Sequence, residues 1–486
     1  MNELNILLTS VGRRSYLVKY FKNELNGIGK VFVSNSSDLS PAFQVADDYV
    51  VTPLIYDDNY IPFLLNYCKI NNITVIISLF DIDLPILSKN KKLFEENGIN
   101  VIVSDYEVIE KCNDKYLTYK FLVNNGLNAP KTYTDINQAR NDLRNKKLDF
   151  PLFVKPRWGM GSISVYSADN MEELEVFYNK VKRELCNSYL KYESAIDIDN
   201  AVLIQEKLNG QEYGLDIIND LNGDYQNTII KKKIAMRSGE TDCAITVENE
   251  KLNRLGKLLS NLLKHVANLD VDVFLIDGHP FILEMNARFG GGYPFSHMAG
   301  VNLPKAIIKW LMGENLETDI LKDEINVLSQ KDINLVYLNS YNEIKYKDAT
   351  GDEIYRALEC LQDDIKPTLN ERNINIRSYA NKLASNGVAF IALDNEKIVG
   401  IISGYVNCDN AYVSIFIVKE GYRGKSIGKH LLNYFQNKAT QNDVQILKLE
   451  VRKINTNAIG FYNHFGFNIT KEATEESYYM EKSLIN

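Results

Sequence analysis

The chain has 486 residues, 45% hydrophobic and 24% charged, enough for roughly two to four globular domains. A formal net charge of -8 argues against nucleic acid or an anionic membrane as the main partner. No apolar run reaches the roughly 18–20 residues of a membrane span, and MNELNILLTS lacks the basic region and long apolar core of a signal peptide. Six scattered cysteines, Cys68, Cys112, Cys186, Cys243, Cys360 and Cys408, form no CxxC pair and read as reduced thiols, so the expected compartment is the cytoplasm.

Residues 1–110 alternate short β-branched runs (NILLTS, KVFVSN, ITVIISL, INVIVSD) with helical spacing such as RRSYLVKYFKNEL, which predicts a parallel α/β sheet. The first turn, TSVGRRS, has one glycine and is not a dinucleotide fingerprint. Arg13 and Arg14 stand where a helix begins, a place suited to an anion such as a substrate carboxylate; solvated surface arginines fit the same pattern. Residues 111–315 mix hairpins and helices. FPLFVKPRWGMGSISVYSA reads as strand, glycine loop and strand, AVLIQEKL and EYGLDIIND as strands, and LNRLGKLLSNLLKHV as an amphipathic helix. The acidic stretch ENLETDILKDEINVLSQKDI has no core face, which places a linker at 316–333; residues 334–486 resume as a smaller α/β unit.

The stretch VDVFLIDGHPFILEMNARFGGG, Val271 to Gly292, carries polar groups on strand positions. Alternation points Glu284, Asn286 and Arg288 the same way, and Asp277-Gly278 is a hairpin signal. A three-residue Asp277-Gly278-His279 loop sets Ile276 opposite Pro280 and Asp272 opposite Glu284. Two adjacent carboxylates repel each other unless a cation intervenes. Oxygen-only ligands suit magnesium, with open positions for phosphate oxygens. Taken by itself, the stretch is equally a strand emerging into solvent. The following FGGGYPFSHMAGVNLP supplies a flexible loop, Gly290 to Gly292, and His297, which fits a surface or helix-start position better than substrate contact.

Three earlier pieces make chemical sense around a triphosphate. Lys115 stands at a helix start. Lys155 ends a strand, before Gly159 and Gly161. Glu206, Lys207 and Leu208 end another strand, before Glu212. Lysines are point charges for phosphate oxygens, glycines let backbone N–H groups approach phosphates, a strand end can meet an adenine edge, and a carboxylate can accept from ribose hydroxyls. Singly, each is more often a solvated charge or a hairpin turn than a phosphate contact. Their order and spacing, ending in Asp272…Glu284-x-Asn286-x-Arg288, resemble the ATP-grasp superfamily over about residues 1–320, in its carbamoyl-phosphate-synthetase-like, carboxylate–amine ligase branch. The resemblance implies a Rossmann-like pre-ATP-grasp domain at 1–110 and an ATP-grasp fold at 111–315. It implies phosphate binding by Lys115 and Lys155 under a loop around Gly159, Gly161 and Ser162. Adenine falls to Glu206, Lys207 and Leu208, ribose to Glu212, magnesium or manganese to Asp272, Glu284 and Asn286, and transition-state stabilisation to Arg288. Asp272 departs from the glutamate many members carry there. The implied reaction activates a small carboxylate as an acylphosphate and joins it to a small amine, releasing ADP.

AYVSIFIVKEGYRGKSIGKHLLNYF reads as strand, basic glycine loop and helix, an anion site by itself. LEVRKINTNAIGFYNHFGF adds a strand, Asn457, and a helix bearing Phe461 and Tyr462. The pair resembles the GNAT acetyltransferase superfamily over about 334–486. The resemblance implies acetyl-CoA held by Phe416, Ile417 and Val418, by the loop Arg423, Gly424, Lys425, Ser426, Ile427, Gly428 and Lys429, and by Asn457. Tyr462 would protonate the departing thiolate, a reading the complete flanking pattern favours over a packed aromatic beside Phe461 and Phe465. Ser426 stands where the family usually has glycine. His430, His464 and Glu450 are open candidates for a base. The fusion implies either a cytoplasmic bifunctional biosynthetic enzyme or a ligase whose GNAT half only binds and recruits. Oligomeric state is open, with a homodimer compatible.

Overall fold

The computed structural model describes residues 3–484 except 160, 162, 189, 339–343, 408–409 and 424–426, together with the side chain of His464. Ser162, Cys408, Gly424, Lys425 and Ser426, and the His464 side chain, therefore lie outside the described residues. The chain divides into two compact units, Met1–Leu338 and Asn339–Asn486.

In the first unit the β-branched runs become β1 (Asn5–Thr9), β2 (Val31–Asn35), β4 (Ile73–Ser78) and β5 (Asn100–Ile102), joined by β3 (Asp48–Val51). They form one parallel sheet in the order β3-β2-β1-β4-β5. The strands are buried along β1, β2 and most of β4, as a sheet covered on both faces requires. Next comes a four-stranded sheet, β6-β9-β7-β8, of β6 (Thr132–Tyr133), β7 (Leu152–Pro156), β8 (Tyr166–Ala168) and β9 (Val202–Glu206). A six-stranded antiparallel sheet follows, built from β10 (Gln211–Asn219), β11 (Tyr225–Arg237), β12 (Glu240–Thr246), β13 (Asn268–Ile276), β14 (His279–Asn286) and β15 (Leu328–Gln330), in the order β14-β13-β10-β11-β12-β15.

One face of that sheet is apolar. Leu215, Ile230, Val271, Val273 and Met285 are buried there with Leu252, Leu255, Leu259 and Leu263, which repeat on one side of the helix Glu250–Leu263. Burial of each such leucine is worth about 1.5–3 kcal/mol over exposure. Asn249 caps that helix by accepting from Leu252 N at 3.2 Å. With one face committed to the core, alternation sends Glu212, Gly214 and Asp216 of β10, Asp270 and Asp272 of β13, and Glu284 and Asn286 of β14 to the other.

The β13–β14 hairpin differs from the three-residue loop expected. Asp277 and Gly278 both have positive φ, 49° and 76°, and Ile276 pairs with His279. This is a two-residue turn of the primed kind that matches strand twist. It sets Leu275, not Ile276, opposite Pro280. Asp272 nevertheless pairs with Glu284, because the register shifts at Asp272/Val273 and Leu283 is left unpaired as a bulge.

The segment expected as a linker at 316–333 is also more structured than its composition implied. Ile320 and Leu321 are buried, Asn227 Nδ2 donates to the Leu321 carbonyl at 2.7 Å, and Leu328–Gln330 pairs with β12. Two apolar residues and one strand of backbone bonds suffice to dock an otherwise charged segment. Beyond it, residues 331–338 have neither helix nor strand.

The second unit is one seven-stranded sheet. Its strands are β16 (Lys345–Asp348), β17 (Val388–Asp394), β18 (Lys397–Val406), β19 (Ala411–Val418), β20 (Ile446–Arg452), β21 (Asn468–Thr474) and β22 (Ser477–Ser483), in the order β16-β17-β18-β19-β20-β22-β21. A bulge leaves Ser414 unpaired between Ser403↔Ile415 and Gly404↔Val413. It exchanges the faces of β19. Ala411 and Val413 pack with Leu431 and Phe435 of the helix Ile427–Thr440, whereas Ile415 and Ile417 pack with Leu358 and Leu383 of the helices Gly351–Leu361 and Ile376–Asn386.

Candidate active site

The polar face of the six-stranded sheet lines a cavity of about 470 Å³ that also takes in Arg14, Asp81, Lys115, Lys155, Gly159, Gly161, Glu206 and Leu208. That volume suits a nucleotide-sized ligand. The structure thus brings together most side chains picked out in the sequence of this unit. Lys207 is exposed, with its ammonium 5.5 Å from the Phe153 ring, outside the cavity lining. Arg13 is exposed, and His297 stacks on Tyr20 at 3.6 Å; neither lines the cavity.

Two cations stand at one end. Lys155 is buried at the end of β7 and donates to Gln205 Oε1 at 2.6 Å. Burial, reinforced by Lys115 and opposed by Glu284, lowers its pKa to about 8. Lys115 opens the helix Lys115–Asn124 and donates to the Gly159 carbonyl. That helix is held by Asp114, which caps Tyr116 N at 2.9 Å and takes both arms of Arg157, at 2.8 and 2.7 Å. Such forked pairing fixes geometry as well as charge.

Rows of opposed residues cross the sheet. Gly214, Asp272 and Glu284 share one row, and Asp216, Asp270 and Asn286 the next. Burial raises the pKa of Asp272 to about 7, with Lys233 opposing and Asp270 and Glu284 reinforcing the shift. The carboxylates coexist because β11 inserts lysines between them. Lys233 Nζ is 2.6 Å from both Glu212 Oε1 and Asp272 Oδ1, and Lys231 pairs with fully buried Asp216. Removing one member of such a buried pair strands the other charge, a loss of about 3–5 kcal/mol. Arg288 is clamped at 2.9 Å by Asp81 of the first sheet's domain and at 2.9 Å by Asp270. A Cβ on Gly290 would meet the Asp270 carboxylate at 2.2–2.4 Å, so glycine is required for that approach.

Sequence reasoning missed Lys231, Lys233, Asp216, Asp270 and Asp81. The alternation Lys231-x-Lys233 in a β-branched run was the available signal. Among the described residues no three acidic, histidine or cysteine side chains converge as a self-sufficient metal site. Asp272, Glu284 and the Asn286 amide line one cavity and would suit a hard cation that takes further oxygen ligands from elsewhere.

In the second unit, parallel pairing of β19 with β20 stops at Val413↔Leu449. Beyond the bulge at Ser414, Phe416, Ile417 and Val418 pair with β18, opposite Ile402, Ile401 and Gly400, and have no partner on β20 among the described residues. Phe416 sits 5.8 Å from Phe461 and 6.3 Å from Tyr462 between ring centroids. Tyr462 is buried, with its pKa raised by that burial. Arg423 bends back on the strand, donating to the carbonyls of Val418 at 3.0 Å and Asp364 at 2.6 Å. Ile427 is in the core and Lys429 is exposed. Gly428 has the Phe461 ring 3.4 Å from where a Cβ would lie. Asn457 is exposed one residue into the helix Thr456–His464, so it stands apart from the buried Tyr462. His430 is exposed beside Tyr346, and Glu450 accepts from Ser477 at 2.5 Å.

Residues 112–292 match the family model described as ATP-grasp domain, residues 6–102 that of the PylC-like N-terminal domain, and residues 352–467 that of the acetyltransferase (GNAT) family. The chain is an ATP-grasp protein with a C-terminal GNAT domain. The ATP-grasp part is similar to the carbamoyl phosphate synthase large chains of Pseudothermotoga lettingae (22% identical over 300 residues, 60% of this chain and 25% of that one) and Neisseria meningitidis serogroup B (23% over 304 residues, 60% and 26%). The chain therefore spans about a quarter of the length of these curated relatives. In fold it is similar to the biotin carboxylase domain of Hydrogenobacter thermophilus 2-oxoglutarate carboxylase, solved with MgADP and bicarbonate (TM-score 0.54, 16% identity, 68% of this chain and 74% of that). Biotin carboxylase from Campylobacter jejuni gives a TM-score of 0.53 at 14% identity, covering 67% and 74%. Among the described residues, no helix of this ATP-grasp protein is long and apolar enough to cross a membrane.

Proposed function

We propose that the ATP-grasp part is an ATP-dependent, ADP-forming ligase that joins a small carboxylate to a small amine, and that the GNAT domain transfers acetyl from acetyl-CoA to a small amine, both in the cytoplasm. The observation that carries the ligase reading is the opposition of Asp272 and Glu284 across β13–β14, next to a clamped Arg288 and within one cavity with Lys155 and Lys115. Lys115 and Lys155 hold the phosphates beneath the loop of Gly159, Gly161 and Ser162; Glu206, Leu208 and the backbone of Lys207, whose side chain points elsewhere, meet adenine, and Glu212 the ribose. Magnesium, or manganese, held by Asp272, Glu284 and Asn286 would offset charge on the transferring phosphoryl group. A carboxylate oxygen attacks the γ-phosphorus, ADP departs with the bridging oxygen, and Arg288 stabilises the resulting acylphosphate. Release of AMP and pyrophosphate in place of ADP, read by chromatography, would overturn this.

The acetyltransferase reading is supported by the end of β19–β20 pairing at Val413↔Leu449 and by Tyr462 near Phe416 on the strand beyond it. The amine attacks the thioester carbon while the backbone of Phe416–Val418, the loop from Arg423 to Lys429 and Asn457 hold acetyl-CoA, and Tyr462 protonates the thiolate. Ser426, in place of glycine, favours a second reading in which the GNAT domain binds without catalysing. Calorimetric titration with acetyl-CoA followed by an acetylation assay separates the two.

A further inference from the structure

Nothing in the ligase reaction above employs Arg14, although it lines the cavity. Its guanidinium donates only to carbonyls, those of Leu79 and of Phe289, the latter at 2.9 Å. Carbonyl dipoles orient a cation without neutralising it. The neighbouring cations are compensated: Arg288 by Asp81 and Asp270, Lys231 by Asp216, Lys233 by Glu212 and Asp272. Among the described residues no carboxylate forms an ion pair with Arg14. Lys115 and Lys155 form no ion pair among the described residues either, but Lys155 feels both Lys115 and Glu284, where the triphosphate belongs. The charges around Arg14 are instead Arg288, Asp81 and Glu240, and Glu240 is exposed and tied to Lys331 at 2.9 Å. Arg14 therefore awaits an anion other than ATP.

Position says which one. Arg288 Nη1 lies 3.4 Å from the same Phe289 carbonyl that Arg14 Nη1 reaches at 2.9 Å, so one backbone oxygen joins the two guanidiniums. Resting on the ligase reading, we propose that Arg14 holds the carboxylate of the amine-bearing substrate, which makes the nucleophile an amino acid. In an α-amino acid the amine and the carboxylate share one carbon. Anchored at Arg14, the amine faces the acyl group at Arg288. Its lone pair forms the bond to the acyl carbon, the bond from that carbon to the phosphate oxygen breaks with its electrons on phosphate, and the amine proton leaves with the phosphate.

The test measures ADP release and amide formation with matched nucleophiles, alanine against alaninamide and lysine against cadaverine, over a panel of proteinogenic amino acids and sugar acids as acyl donors. Wild-type protein is expected to favour the carboxylate-bearing member by at least about tenfold in kcat/KM, because a site built to pair a buried charge rejects the analogue lacking it. Arg14→Met should abolish that preference through the KM of the amino acid, while the KM values of ATP and of the acyl donor stay within about twofold; Arg14→Lys should restore part of it. Equal use of both nucleophiles by wild type, or a preference that survives Arg14→Met, overturns the proposal alone. A change confined to the KM of the acyl donor also overturns it, placing Arg14 on the acid. Hydroxylamine, which traps acylphosphates, separates the underlying reading: no ADP and no hydroxamate from any acid overturns the ligase reading and this proposal with it.

Discussion

Asp272 lies opposite Glu284 on neighbouring strands, and the two meet because Leu283 is bulged out of the ladder. A two-residue turn alone would have set Asp272 against another residue. The bulge thus makes the acidic pair, and Lys233 makes it tolerable without a metal.

Glu284→Ala should abolish ADP formation without unfolding the protein. Glu284 is only partly buried and raises the pKa of Asp272, so its removal relieves repulsion. The expected result is a loss of at least about 100-fold in rate, in the range seen for removal of one transition-state contact, with an unchanged or higher Tm. A clearly lowered Tm would show that Glu284 serves the core.

Lys155 predicts a pH dependence. Its folded pKa, about 8, lies below the ordinary 10.5. Between these values the unfolded chain binds more protons than the folded one, so this lysine makes stability rise with pH across that window; below about 8 its burial penalty is fully present. For function the sign is opposite. Charge on Lys155 is lost above pH 8, so kcat/KM for ATP should fall about tenfold per pH unit there. Lys155→Arg should remove that break, because guanidinium stays charged. A break unmoved by this substitution would assign it to another group.

Tyr462→Phe retains the ring among Phe416, Phe461 and Phe467 and removes the proton donor. Acetyl-CoA binding should persist, and acetyl transfer should slow at least about tenfold, a conservative bound against the roughly 10²–10⁴-fold that general acids contribute. Unchanged turnover with chemistry rate-limiting would make Tyr462 a packed aromatic only.

Limited proteolysis should nick residues 331–338, past the docked part, 316–330, of the expected linker. Leu335 is 98% exposed and Tyr337 76%, whereas Leu328–Gln330 is tied into the sheet. Exposed backbone without sheet bonds is where proteases cut. Fragments cut at 316–330, identified by mass spectrometry, would contradict this.

Local pattern determined a good deal. The alternation from Glu284 to Asn286 told which side chains share a face, and the β-branched runs before residue 110 told of a parallel sheet, because both depend only on period and on what each strand must bury. The strands either side of Gly159, Leu152–Pro156 and Tyr166–Ala168, and the strand and helix either side of Arg423, Ala411–Val418 and Ile427–Thr440, were legible for the same reason. What tertiary structure decided was partnership. Lys233 between Glu212 and Asp272, Asp81 on Arg288 from 207 residues away, and Arg14 and Arg288 at one carbonyl are made by chain segments whose own sequence carries no mark of the other. Both bulges, at Leu283 and Ser414, also escape periodicity, since an inserted residue leaves each flanking run regular while changing what it faces. The segment at 316–333 shows the converse. Its composition is that of a linker, and Ile320, Leu321 and three residues of strand dock it, because burial of a few apolar groups against a preformed surface outweighs the charge around them.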